Sequence, residues 1–108
     1  MKSVKSIVKS KMIRLGISKS VSEYIAEAVH YCVDKGIHPM DVCLDRHIYP
    51  MLSELHFNTN DAIESRIRRS INRAWKSSNH LLWSNELNYD SRPTIKKLIV
   101  LLLEQFDY

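Results

Sequence analysis

Asn60 to Lys76 reads NDAIESRIRRSINRAWK, and its spacing predicts one amphipathic helix. At 100° per residue Ile63, Ile67, Ser70, Ile71 and Ala74 fall on one side, while Ser65, Arg68, Arg69, Asn72 and Lys76 fall on the other. The polar side carries Arg66, Arg68, Arg69, Arg73 and Lys76 against only Asp61 and Glu64. Arg and Asn are the side chains that pair bidentately with guanine O6/N7 and adenine N6/N7 in a DNA major groove. A solvated surface helix with a charge run has the same pattern, so the surrounding sequence has to decide.

Upstream, Tyr49 to His56 predicts a shorter helix, with Pro50 either kinking the stretch that precedes it or serving as the new helix's first residue. Phe57-Asn58-Thr59-Asn60 forms a polar turn, and Thr59 or Asn60 is the N-cap of the basic helix. Short helix, tight turn and longer basic helix, over about residues 49 to 77, is the layout of a helix-turn-helix whose second helix enters the major groove. Generic helical hairpins share it.

Working outward, Val4, Ile7, Val8, Met12 and Leu15 mark a first helix ending at Gly16. A second is expected to begin at Ser20, with Glu23 completing a capping box, and to run through Tyr24, Ile25, Ala28, Val29, Cys32 and Val33 to Gly36. A third helical stretch is expected from Met40 to His47, and a short one from His80 to Leu87. Ser91 and Pro93 lead the last helix, with Ile95, Leu98, Ile99, Leu102 and Phe106 on its core face.

The totals agree with this reading. A chain of 108 residues with 44% apolar content suits one domain that buries a core without metal or disulfides. Only 2 glycines and 3 prolines occur, too few turn residues for a sheet protein of this size. The expected fold is all-α, a compact bundle of about six helices spanning the chain. Net charge is +4, and the pI is about 9.2. Lys2, Lys5, Lys9, Lys11, Arg14 and Lys19 all precede the first acidic residue, Glu23.

Cys32 and Cys43 form no CxxC and no disulfide framework, which favours a reducing cytosol. The longest apolar run, Leu98 to Leu103, is 6 residues. A membrane span needs roughly 20. The lysine-rich first helix lacks the aromatic anchors of a lipid-binding helix and is assigned to the core. His30, Cys32, His38, Cys43 and His47 invite a zinc reading, but only Cys43 and His47 share a helix face, and core cysteines with surface histidines explain them better. No Ser, Cys and His arrangement sits in a recognisable nucleophile turn and no glycine-rich loop is present, so an enzyme is not expected, nor any cofactor. Trp75 and Trp83 could stack on bases, but Trp75 flanks the apolar stripe and is read as core packing.

The block YPMLSELHFNTNDAIESRIRRSINRAW, Tyr49 to Trp75, resembles the DNA-binding effector domain of the sporulation response regulator, the stage zero sporulation protein A family. Tyr49, Pro50, Thr59, Ile63, Glu64, Ile67, Arg68, Ile71, Ala74 and Trp75 match that family's pattern without a gap. SVKSIV with Leu15-Gly16-Ile17, then Glu27-Ala28-Val29, then Arg92-Pro93-Thr94 continue it collinearly, although the region from Ser18 to Tyr24 is shorter than the family's and lacks its proline. The resemblance implies an all-helical, cytoplasmic, nucleoid-associated transcription regulator binding double-stranded DNA, often as head-to-tail pairs. It implies base reading at Glu64 and Arg68. Where the family has Arg and His, this chain has Ser65 and Arg69, so an altered or relaxed target box is expected.

Together these readings place Arg68, Arg69, Glu64, Ser65 and Asn72 at base edges, and Arg66, Arg73, Lys76, Thr59 and Asn60 at phosphates. The family's effector usually follows a phosphorylatable receiver domain, whereas Met1 opens directly onto the effector. Unless the sequence is a piece of a longer chain, no receiver is expected. Binding would then be constitutive, or the chain would act on a full-length regulator. The rival class is a protein-interaction module that keeps this fold and pairs with another regulator without touching DNA.

Overall fold

The computed structural model describes residues 3 to 106. Six α-helices follow in order: α1 (Val4–Arg14), α2 (Lys19–Asp34), α3 (Tyr49–His56), α4 (Asn60–Ser77), α5 (His80–Leu87) and α6 (Ile95–Glu104). No strand occurs among the described residues. The all-helical expectation therefore holds, and one hydrophobic cluster runs through all six helices.

α1 and α2 form an antiparallel hairpin around Gly16, whose φ of +91° a side chain would resist. Val8, Met12 and Leu15 are its buried residues from the first helix, with Val4 and Ile7 only partly covered. The second helix starts earlier than expected. Ser18, not Ser20, is its N-cap, its hydroxyl accepting the Val21 N–H at 3.4 Å. This start leaves Ile17 buried at the entry and turns Val21, Tyr24, Ile25, Ala28 and Val29 inward. Ser22, which the expected capping box would have left in the first turn, is wholly buried and donates to the Ile17 carbonyl at 3.2 Å.

The stretch expected as a third helix from Met40 to His47 is divided. A 3-10 turn, Pro39–Asp41, is followed by extended Val42 and Cys43 and then by a π turn, Leu44–Ile48. Pro50 explains the π turn: it has no N–H to return to the Arg46 carbonyl, and its ring crowds that oxygen. The chain widens instead, with the Tyr49 N–H reaching the Leu44 carbonyl, and enters α3 directly with Pro50 in its first turn.

α3 closes on Phe57 in the left-handed region, φ 53°, with the Asn58 N–H on the Ser53 carbonyl at 3.1 Å. The Ser53 hydroxyl returns to the Asn58 carbonyl, and Asn58 Oδ1 accepts the Thr59 N–H at 3.0 Å. Thr59 then caps α4, accepting the Ala62 N–H at 3.1 Å. Ile63, Ile67, Ile71 and Ala74 lie no more than 2% exposed against α2, α3 and α6. Burying each isoleucine is worth about 1.5 to 3 kcal/mol before entropy. Ser70, on the same side, sits at the seam and not in the core: its hydroxyl accepts the Ser18 N–H at 3.1 Å.

α5 packs under the end of α4. Trp83 is fully buried and donates to the Ser78 hydroxyl at 2.5 Å. Trp75 lies edge-on to Trp83 with centroids 5.4 Å apart and stacks on His80 at 3.8 Å, so its face is already occupied. α6 begins at Ile95, two residues after the expected Pro93, with Thr94 as N-cap, and buries Ile95, Leu98, Ile99, Leu102 and Leu103 across the bundle.

Candidate nucleic-acid interface

α4 lies with its isoleucine stripe down and its polar face outward, flanked by two grooves. Arg66, Arg68, Arg69, Arg73 and Lys76 are exposed, as are Thr59 and Asn60 at the helix start, while Glu64, Ser65 and Asn72 are partly covered. The turn Phe57-Asn58-Thr59 thus delivers the N-terminus of a long basic helix, where Thr59, Asn60 and Asp61 are exposed and the first N–H groups have no acceptor within the helix. That is a ready seat for a phosphate.

The two flanks differ in chemistry. Towards α2 a cleft of about 220 Å³ is lined by Ser18, Ser20, Arg66, Arg69, Ser70 and Arg73, with no carboxylate among them. Arg66 Nη1 also donates to the Tyr24 hydroxyl at 3.2 Å, and Arg69 Nε to the Ser65 carbonyl at 3.3 Å. Each guanidinium keeps further N–H donors beyond these bonds.

Towards α6 a larger groove of about 390 Å³ is bordered by Tyr49 and Asp45, by Glu64, Arg68 and Asn72 of α4, and by the segment Arg92 to Lys96. Within it Arg68 pairs with Glu64 one turn earlier, so Glu64 holds the Arg68 guanidinium at this groove. Asn72 Oδ1 accepts from Arg92 Nη1 at 2.8 Å. Burial, with the nearby Glu64 and Asp45 carboxylates, pushes the Tyr49 hydroxyl up to about 12, Arg68 offsetting part of this. The phenol therefore stays a neutral donor across the physiological range.

The sequence-named residues are thereby brought together on one helix, its turn and the two flanks. Arg92, Lys96 and Tyr49 on one flank and Ser18 and Ser20 on the other were missed as site residues. They join α4 from up to 52 residues away in the chain, the Ser18 to Ser70 separation, and no local period announces such a pairing.

The histidine and cysteine set does not converge. Among the described residues no group of three or more His, Cys, Asp or Glu is placed to hold a metal ion. Cys32 is buried, which pushes its thiol up to about 11, whereas Cys43 is exposed and not a core residue as expected. His47 Nδ1 accepts the Cys43 N–H at 3.3 Å, and His38 Nδ1 accepts the Met40 N–H at 3.1 Å. Among the described residues no helix is long and apolar enough to cross a membrane.

Fold and surface together define an all-helical domain that presents a basic helix after a tight turn, the form of a DNA-binding effector. The sequence profile of the family described as "Sporulation initiation factor Spo0A C terminal" matches residues 8 to 105, and the chain belongs to that family. It is a family of DNA-binding domains. Comparisons with curated proteins and with solved structures gave no match.

Proposed function

We propose that this chain is a sequence-specific regulator of transcription that inserts α4 into the major groove of double-stranded DNA. Arg68, Arg69, Glu64, Ser65 and Asn72 face base edges in this reading. Arg66, Arg73, Lys76, Thr59 and Asn60 hold phosphates and set the register. The observation that carries it is the exposure of the α4 arginines over a fully buried isoleucine stripe: the helix is fixed to the core on one side only. The carboxylate-free Arg66, Arg69 and Arg73 flank gives one strand's backbone a place to run, and Glu64 holds Arg68 ready for a base. The domain works in the cytoplasm at the nucleoid and occupies tandem sites as head-to-tail copies.

One feature favours the rival, a module that pairs with a full-length regulator without contacting DNA. Phe57 is 96% exposed and Leu55 53%, beside a groove they share with Tyr31 and Met51. Duplex retention by Arg68→Ala and Arg69→Ala separates the two. DNA binding predicts a loss of about tenfold or more for each with helicity unchanged, and the rival predicts unaltered affinity.

A further inference from the structure

The hydrogen bond between Arg92 and Asn72 decides which base Asn72 can read. An asparagine recognises adenine by offering both edges of its amide, oxygen to the N6 amino group and nitrogen to N7. Here the assignment of those edges is settled by chemistry. Guanidinium has donors only, so the amide atom 2.8 Å from Arg92 Nη1 must be Oδ1. The Nδ2 amino group then points away from Arg92.

We propose that Arg92 is a specificity-determining residue which makes Asn72 a donor-only reader of guanine. The inference rests on the DNA-binding reading above. One lone pair of Oδ1 is used by Arg92, whose guanidinium brings a positive charge to that oxygen. An adenine amino group approaching that oxygen meets a cation and a competing donor. Guanine presents two adjacent acceptors, O6 and N7, and both suit the free amino group. Arg92 is exposed and comes from the loop ahead of α6, so it adds a positive charge to the groove without entering the core. A guanidinium carries five N–H donors, so others remain to take a phosphate while Nη1 holds the amide.

Selection of bound duplexes from a random pool, followed by affinity measurement on the selected site, tests this. Four proteins are compared: wild type, Asn72→Ala, Arg92→Ala and Arg92→Met, the last keeping the aliphatic stem should alanine disturb the loop. The wild type selects guanine at one position, and Asn72→Ala flattens the preference at that position alone. Arg92→Ala or Arg92→Met, with Asn72 released, shifts the same position towards adenine by about tenfold in relative affinity. Retention of the guanine preference in both Arg92 variants overturns the proposal. So does a wild-type preference for adenine at the Asn72-dependent position, or no position that responds to Asn72→Ala. A wild type that retains no duplex sinks the parent reading and this one with it, whereas a wild type that selects a clear site but fails any other arm sinks only the role of Arg92.

Discussion

Arg66 of α4 donates from Nη1 to the hydroxyl of Tyr24 on α2 at 3.2 Å, so an exposed side chain of the basic helix is held by the scaffold beneath it. Tyr24 is 5% exposed, its ring is 4.6 Å from that of His56, and His56 Nε2 lies 2.6 Å from Glu27 Oε1. The chain of contacts fixes Arg66 at the rim of the arginine cleft. Tyr24→Phe removes one hydrogen bond without removing the ring. Stability should fall by about 0.5 to 1.5 kcal/mol in urea unfolding, and duplex affinity should fall by less than for Arg66→Ala. Equal affinity losses in the two variants would mean that Arg66 acts only through its position.

Glu86 of α5 is the hub that joins the last part of the chain to the first. Lys11 Nζ lies 3.4 Å from Oε2 and Arg14 Nε 3.3 Å from Oε1, and Gln105 Nε2 donates to the Glu86 carbonyl at 2.9 Å. Partial burial alone would raise the Glu86 carboxyl, but the hydrogen bonds and charges of Arg14 and Lys11 outweigh it and hold it below the usual carboxylate value. Because the folded value lies below the unfolded one, the pair contributes fully above the ordinary carboxylate range. Its contribution drains as pH falls through the lowered value. Glu86→Gln should therefore destabilise by about 0.5 to 1 kcal/mol near neutral pH, and the two proteins should converge in strong acid. A constant gap down the acid limb would show that the glutamate acts through packing and not through charge.

The isoleucine stripe of α4 and the leucines of α6 were legible because burial on one side of a helix imposes a period on the sequence itself. The end of α1 at Gly16 and a cap at Thr59 or Asn60 were legible for a similar reason, each being a local residue choice with a local backbone consequence, and the structure selects Thr59. What escaped was decided elsewhere. Ser18 and Ser20 are equally good caps in isolation, and only the burial of Ile17 and the bond of the Ser18 N–H to Ser70 select the first. The Met40 to His47 stretch has helical composition, but Pro50, beyond its end, turns its last part into a π turn. At the interface the arginines of α4 could be named from one helix, whereas Arg92, whose bond to Asn72 spans 20 residues, could not.

Gly16 makes a test of backbone strain separable from crowding. A Cβ built there meets the Ala74 Cβ at 3.7 Å, an ordinary contact, so space is not the obstacle. Its φ of +91° is. Gly16→Ala should cost about 1 to 2 kcal/mol, read as a lower denaturation midpoint with an unchanged slope. D-alanine at the same position, introduced by chemical ligation, should restore or exceed the wild-type midpoint, since its favoured φ is positive. Destabilisation by both isomers would move the cause to the Ala74 contact.

Salt dependence reads the number of phosphates held, independently of sequence preference. Arg66, Arg73 and Lys76 are exposed on α4 along with Thr59 and Asn60 at its open N-terminus, and Arg92 stands on the opposite flank. If about five phosphates are neutralised, log K should fall against log salt concentration with a slope of roughly −4 to −5. Arg73→Ala, at the arginine cleft, should make that slope shallower by about 1 and weaken matched and mismatched duplexes alike. Arg68→Ala, which removes the partner of Glu64 on the other flank, should on the proposed reading compress the difference between matched and mismatched duplexes and leave the slope near its starting value. A flat salt response would leave the arginines without an anionic partner and favour the protein-interaction reading, because counterion release cannot be avoided when a cationic helix displaces ions from a duplex.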